Sequence, residues 1–371
     1  MNTYTASDRL CHVDFTSLEG HTRYPYSLIV SQYSTERVLE KKAEELGIRV
    51  ERLRRLVGLS DNDDEDGLIV ATFDDGEKIK ANYVVGADGS RSTVRQLVNI
   101  GFADPDGASI EDQDLVQMVI ADVTFTSPPS HLMRDQLHVH TVAPKVSIAI
   151  HIPQSRYPES YESTASDLYR IGFTIPKEDD PPPTLLDANY FQKHLDERRP
   201  RFLYAGRDDE RVVIDKVLWS SRFRTHAAIA DKCLIRFHAQ NQSEEQNFNT
   251  NPRVVFLVGD AAHIHSPIGG QGLNLGIRDA IGLAPVLAKH MEQFPQDPSS
   301  ADNLLEEYAS TRHARAISTI RMTKRAMYSI ATLGAITSGW GKYFTWLVKL
   351  IFKLPFVTAP MIWQVSGLGR V

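Results

Sequence analysis

The apolar run Arg253-Val254-Val255-Phe256-Leu257-Val258 ends in Gly259-Asp260-Ala261-Ala262-His263. Ile264-His265-Ser266-Pro267-Ile268-Gly269-Gly270-Gln271-Gly272-Leu273-Asn274-Leu275-Gly276 follows. The pattern reads as a buried strand that delivers a carboxylate at its C-terminal end. After it come a Pro- and Gly-rich turn and a helix beginning near Gly272. Asp260 can accept hydrogen bonds from sugar or polyol hydroxyls. Glycines such as Gly259, Gly269, Gly270 and Gly272 let backbone approach a flat or phosphorylated ligand. A helix start at Leu273 and Asn274 offers free N–H groups and a positive dipole end to an anionic group. Strand ends of this kind are where α/β folds bind ligands.

A second stretch, Val84-Val85-Gly86-Ala87-Asp88-Gly89-Ser90-Arg91-Ser92-Thr93-Val94-Arg95, also follows a strand and leads into a helix. Asp88-Gly89 makes a tight turn that exposes a carboxylate, and Arg91 and Arg95 bring positive charge near it. A third is Val30-Ser31-Gln32-Tyr33-Ser34-Thr35-Glu36-Arg37, with Gln32 before a helix. His263 and His265 form an H-x-H pair, but no carboxylate or cysteine stands at metal-ligand spacing, so no metal is expected.

These residues need elements to position them. Tyr26–Val30 reads as a short strand. Ser34 or Thr35 caps a helix that ends at Gly47, with Leu39, Ala43 and Leu46 on one apolar face. Ile48–Val50 resumes as a strand. Ile69–Phe73 and Lys78–Tyr83 flank Asp74-Asp75-Gly76, a hairpin signal. Strand-like stretches recur at Val116–Phe125, Leu137–Val142, Val146–Ile152 and Tyr169–Ile175, and Leu185–Arg198 is helical. This is a mostly antiparallel sheet inserted into an α/β framework. Cys233–Asn251 is polar and reads as a loop. A long helical pattern covers Ala301–Thr332, where Arg312, Arg315, Arg321, Lys324 and Arg325 read as a solvated face. The resulting division is 1–110, 111–230, a polar insert at 231–252, 253–300, and C-terminal helices over 301–371.

Bulk composition excludes several classes. The chain has 371 residues, a net charge of −6 and a hydrophobic fraction of 42%. These are ordinary globular values, and the mild acidity argues against a nucleic-acid partner. Two cysteines, Cys11 and Cys233, make neither a disulfide framework nor a thiolate metal site, which fits a reducing compartment. The start, Met1-Asn2-Thr3-Tyr4-Thr5, lacks a signal-peptide pattern, so a cytoplasmic protein is expected. Lys349, Lys353, Pro355 and Pro360 interrupt the apolar tail. No transmembrane span is expected, and peripheral membrane contact is compatible with the tail.

As a full string, Gly259 to His263, Pro267, Gly270, Gly272, Asn274, Asp279 and Ala280 resemble the second flavin-binding motif of the class A flavin-dependent aromatic hydroxylases. These are the para-hydroxybenzoate hydroxylase type of FAD monooxygenase, and their motif reads G-D-A-A-H, P, G-x-G-x-N, D-A. Gly86 to Arg95 resembles the family's G-A-D-G-x-x-S-x-V-R string, and Gln32 its strand–Gln–helix element. The resemblance spans residues 22–290. It implies a mixed α/β (α+β) fold: a Rossmann-like FAD-binding domain, an inserted mostly antiparallel substrate domain and a C-terminal helical segment. The family's first motif, a strand–GxGxxG–helix unit, is not found in this sequence, so an N-terminally truncated FAD-binding domain is expected.

The resemblance further implies FAD as cofactor, with NADPH or NADH as co-substrate. Dioxygen and a small aromatic or phenolic molecule would be the other reactants, in a setting such as secondary metabolism. Hydroxylation would proceed through a flavin C4a-hydroperoxide. Cofactor contacts would come from Gln32, Asp88, Gly89, Arg95, Gly259, Asp260, Pro267, Gly269, Gly270, Gly272, Leu273 and Asn274. The catalytic residue stays unassigned, with Tyr169, His138, His140, Arg222 and Arg224 as candidates in the middle sheet, and the oligomeric state is open. Two alternatives remain: a truncated pseudoenzyme that binds FAD weakly or not at all, and a related flavin epoxidase or reductase.

Overall fold

The computed structural model describes residues 2–5, 9–61, 67–108, 117–127, 129, 132, 134, 136–142, 145–153, 167–204, 211–224, 226–236, 252–266, 270–336, 341–352 and 354–367. In chain order the elements are β1 (Asn2–Tyr4), β2 (Arg9–His12), α1 (Gln32–Glu45), β3 (Leu56–Asp61), β4 (Ile69–Phe73), β5 (Lys78–Ala81), β6 (Tyr83–Gly86), α2 (Thr93–Leu97) and β7 (Phe102–Ala103). Then come β8 (Gln117–Phe125), β9 (Leu137–Val142), β10 (Lys145–Ile152), β11 (Leu168–Ile175), α3 (Ala188–Arg198), α4 (Arg201–Tyr204) and β12 (Ile214–Arg224). The remainder is β13 (Ala228–Ala230), β14 (Leu234–Arg236), β15 (Val254–Leu257), β16 (His263–Ile264), α5 (Gln271–Gln293), α6 (Pro298–Ile336), α7 (Gly341–Ile351) and α8 (Pro355–Ser366). By contact the chain forms two compact units: 1–50, 115–225 and 327–371 make the first, and 51–114 with 226–326 the second.

The first unit is built on a seven-stranded sheet in the order β12-β8-β11-β10-β9-β1-β2. Its pairs are antiparallel except β1 with β9. Period-two alternation sends Val119, Ala121, Tyr169, Ile171 and Phe173 to one face, where they meet Phe191 and Leu195 of α3 and Phe202 and Leu203 of α4. The other face carries a polar pair. Arg170 donates to both oxygens of Asp122, at 2.7 and 2.9 Å, and its guanidinium lies 5.2 Å from the Trp219 ring.

The second unit is organised around β15. Its four residues are fully buried, and they read as a continuous apolar run because both faces are covered. Val255 and Leu257 face Val94 and Ala261, while Val254 and Phe256 face Leu283, Leu305 and Ala309 of the two long helices. β15 pairs parallel with β6 and antiparallel with β14. β3-β4-β5 forms a separate three-stranded sheet, with the Asp-Gly turn joining β4 to β5.

Several local expectations need correction. Tyr26–Val30 and Ile48–Val50 are not strands, because neither segment finds a pairing partner among the described residues. The cap of α1 is Ser31, not Ser34 or Thr35, with the Ser31 hydroxyl accepting from the Ser34 N–H at 3.1 Å. The predicted face of α1 is not a core face, since Leu39 and Leu46 are exposed. Leu234–Arg236, inside the stretch read as loop, is a strand because its backbone pairs with β15. Residues 237–251 of that stretch lie outside the described residues. Among the described residues, no helix is long and apolar enough to cross a membrane.

Candidate functional site: a carboxylate turn at the start of α5

β6 and β15 run in parallel, with Gly86 opposite Leu257, so their C-terminal ends emerge side by side. The Val258 N–H donates to the Gly86 carbonyl at 3.0 Å and extends the pairing into the turn. One strand end therefore carries Asp88 and the other Asp260. Gly259 turns the chain with φ of +57°, and a side chain there would be strained. Asp260 follows, exposed, and makes no side-chain hydrogen bond within the described residues.

α5 begins at Gln271 after Gly270, whose φ is +62°. Among the described residues, no side chain caps this end. Gly272 has open space where a Cβ would lie, and Leu273 and Asn274 are exposed. Asn274 donates from Nδ2 to the Gly270 carbonyl at 2.8 Å, which tightens the turn. The first turn of this 23-residue helix thus exposes Leu273 and Asn274 at its positive dipole end. Pro267 and Gly269 lie outside the described residues.

The residues around Asp88 make bracing contacts. Asp88 Oδ2 accepts the Thr93 and Val94 N–H groups at 2.7 and 3.1 Å, and Ser92 Oγ accepts that of Arg95 at 2.9 Å. Together they satisfy the start of α2. Gly89 supplies the turn between Asp88 and that helix. Arg95 is buried and donates to the Ala261 carbonyl at 2.8 Å and the Ser90 carbonyl at 2.7 Å, with its guanidinium 3.7 Å from the Phe102 ring centre. It links the Asp88 turn to the Asp260 turn. Burial pulls its pKa below the ordinary arginine value, with the Asp88 charge opposing. Gln32 belongs to the first unit, where its amide donates to Glu36 Oε1 at 2.7 Å along α1.

Buried and partly buried polar side chains bridge strands and helices, behind the turn and at the far end of β15. The His263 Nε2–H donates to Asp279 Oδ2 at 2.7 Å. Tyr83, His290, Asp302 and Arg236 form a chain with contacts of 2.7, 3.0 and 2.7 Å, tying β6 and β14 to α5 and α6. Burial, with the Asp302 charge adding, pushes the Tyr83 phenol up to about 12. None of these partnerships was anticipated from sequence. His263 and Asp279 both match the flavin motif by sequence, and their pairing becomes visible once Asp279 is placed on α5.

Of the middle-sheet candidates, Tyr169, His138 and His140 are buried. Tyr169 is in the core, and His138 and His140 lie against Phe202. Burial pulls His140 down to about 4. Arg222 donates to the Pro182 carbonyl at 3.0 Å, and the Arg224 side chain lies outside the described residues. The basic residues of α6 are not uniformly solvated: Arg321 pairs with Asp106 at 2.9 Å and Lys324 with Asp104 at 2.6 Å.

A family model described as an FAD binding domain matches residues 3–196 and 223–323. The chain belongs to this family. Among its relatives, rifampicin monooxygenase of Streptomyces venezuelae is 30% identical over 312 residues, covering 84% of this chain and 54% of that protein. Pentachlorophenol 4-monooxygenase of Sphingobium chlorophenolicum is 29% identical over 362 residues, covering 96% of this chain and 55% of that one. The anhydrotetracycline hydroxylase OxyS from Streptomyces rimosus superposes with a TM-score of 0.60 at 26% identity, over 93% of this chain and 58% of its own. For p-nitrophenol 4-monooxygenase PnpA from Pseudomonas putida the TM-score is 0.69 at 17% identity, over 99% of this chain and 80% of that one, a likeness of fold. The chain spans about half the length of the curated relatives it matches. These matches place the chain in the family of the class A flavin-dependent aromatic hydroxylases and support the mixed α/β architecture.

Proposed function

We propose that the protein is an FAD-dependent monooxygenase that uses NADPH or NADH and dioxygen to hydroxylate a small aromatic molecule. The observation that carries this reading is an exposed carboxylate, Asp260, on a turn that packs against α5, whose first turn exposes Leu273 and Asn274. The donor set fits a flavin. Asp260 accepts from the hydroxyls of a polyol chain. The first N–H groups of α5 donate to an electron-rich carbonyl edge and favour negative charge there. The open space at Gly272 admits a flat ring against backbone.

Bound FAD, reduced by the nicotinamide nucleotide, supplies the activation of dioxygen for transfer of one oxygen atom to the aromatic ring. The chain's own residues bind and orient. Asp260 fixes the polyol, the α5 start holds the charged edge, and Arg95 keeps the two turns in one arrangement. The names of the relatives support an aromatic substrate class.

The test is oxygen uptake by the purified chain with FAD, NADPH or NADH, and a panel of phenols. Substrate-dependent uptake with a hydroxylated product matched to nucleotide consumed is expected. Nucleotide oxidation with no oxygen incorporated into any phenol would overturn hydroxylation in favour of a reductase.

A further inference from the structure

Asp279 lies behind the site, not on it. It sits on α5, is 3% exposed, and one of its oxygens does two jobs. Oδ2 accepts the Gly259 N–H at 3.2 Å and the His263 Nε2–H at 2.7 Å. These donors flank the segment 259–263, so one atom holds both of its ends. Gly276 lies three residues earlier and therefore on the same helix face. A Cβ on Gly276 would come within 3.3 Å of Gly259 Cα, so the turn docks on α5 backbone to backbone. The Asp279 carbonyl accepts the Tyr308 hydroxyl at 2.7 Å, which fixes that stretch of α5 to α6.

Asp279 Oδ1 has no hydrogen-bond partner within the described residues despite its burial. A buried carboxylate used this way adds little net stability over an apolar residue of similar size. What it does add is direction. It fixes the Gly259 N–H and the His263 ring, and Asp260 points outward between them. Neighbouring Cys233 contributes no competing charge, since burial, with Asp279 adding, pushes its thiol up to about 12.

We infer that Asp279 and His263 form a buried latch that sets the geometry of the FAD-binding turn. Both are positioning residues that act through Gly259 and Asp260 without touching the cofactor. The consequence for FAD rests on the flavin reading of Asp260, whereas the latch itself does not.

The experiment uses the full chain and the variants Asp279→Ala, Asp279→Asn and His263→Ala, with two readouts. Amide hydrogen exchange of the 257–264 peptide, without FAD, reads the latch. Quenching of FAD fluorescence reads cofactor affinity. In Asp279→Ala, exchange at Gly259 should rise by about tenfold or more and the FAD dissociation constant by about tenfold, the scale of one lost charge-assisted hydrogen bond. Exchange across residues 117–125 of the first unit should not change. An Asn amide oxygen in the place of Oδ2 still accepts both the Gly259 N–H and the His263 Nε2–H, so Asp279→Asn should return to within about threefold of the parent on both readouts. His263→Ala, which leaves the Gly259 contact, should fall between the two.

A merely structural role would lower the melting temperature of every variant and leave Asp279→Asn as defective as Asp279→Ala, and that result would overturn the latch. So would unchanged exchange at Gly259 in a folded Asp279→Ala. If Asp279→Ala does not fold, Asp279→Asn and His263→Ala decide by the same criteria. A parent chain that binds no FAD defeats the flavin reading, and exchange alone then judges the latch.

Discussion

The seven-stranded sheet of the first unit and the strand–turn–helix of the second are held by different forces. In the sheet, alternate side chains of β8 and β11 pack onto Phe191, Leu195 and Phe202, and burial of apolar area dominates. Around β15 the apolar strand is short, and past its end the structure is tied by polar side chains. There Arg95 reaches the Ala261 carbonyl and Asp279 holds Gly259 and His263, while Tyr83-His290-Asp302-Arg236 ties the opposite end of β15, beside Val254, to the helices. Apolar packing tolerates small shifts, whereas hydrogen bonds fix direction. The region that must aim Asp260 and the start of α5 at a ligand is the one built from directional contacts.

That contrast can be tested, beginning with the largest expected effect. Phe191→Ala removes a fully buried ring from the first unit and should cost about 3–5 kcal/mol in urea unfolding. Exchange at 259–263 should remain at the parent level. A loss below about 1 kcal/mol would mean that the sheet does not depend on this core. Arg95→Met keeps much of the volume but strands the Ala261 and Ser90 carbonyls. We expect about 2–3 kcal/mol, localised by hydrogen exchange to β6, α2 and the Asp260 turn. Equal deprotection of both units would erase the distinction.

Ser92→Ala deletes one cap of α2 while Asp88 retains its two N–H contacts. The expected cost is about 1 kcal/mol by thermal unfolding. Asp106→Asn should be smallest, about 0.5 kcal/mol at neutral pH, because solvent screens this half-exposed pair. Its hydrogen bond from Arg321, then that from Lys324, hold the Asp106 carboxyl below its ordinary 3.8. A depressed acid contributes stability above its unfolded pKa and loses it as pH falls through the folded one. The difference in melting temperature between parent and variant should therefore persist from pH 7 to about 4 and fade as pH falls further, through the folded pKa.

Much of this was readable in the residues, for identifiable reasons. The Asp-Gly hairpin of β4 and β5, the strand Leu137–Val142 and the start of α5 follow from local chemistry that needs no partner. Tyr26–Val30 and Ile48–Val50 share the apolar character of strands, but a strand also needs a neighbour, which short-range pattern does not supply. β14 failed for the opposite reason: three residues at the head of a polar stretch are strand because β15 pairs with them. At the site, glycines and Asp260 announce themselves by spacing. The braces do not, since Arg95 and its acceptor Ala261 are 166 residues apart.

The central claim is that the Asp260 turn and the start of α5 hold FAD. It is tested most directly by titrating FAD into the purified chain and into Asp260→Ala while following flavin fluorescence. The account predicts saturable one-to-one quenching by the parent and an affinity about tenfold weaker in Asp260→Ala, the scale of losing charge-assisted bonds to polyol hydroxyls. Equal affinity in the two proteins, or no binding by the parent, would contradict it.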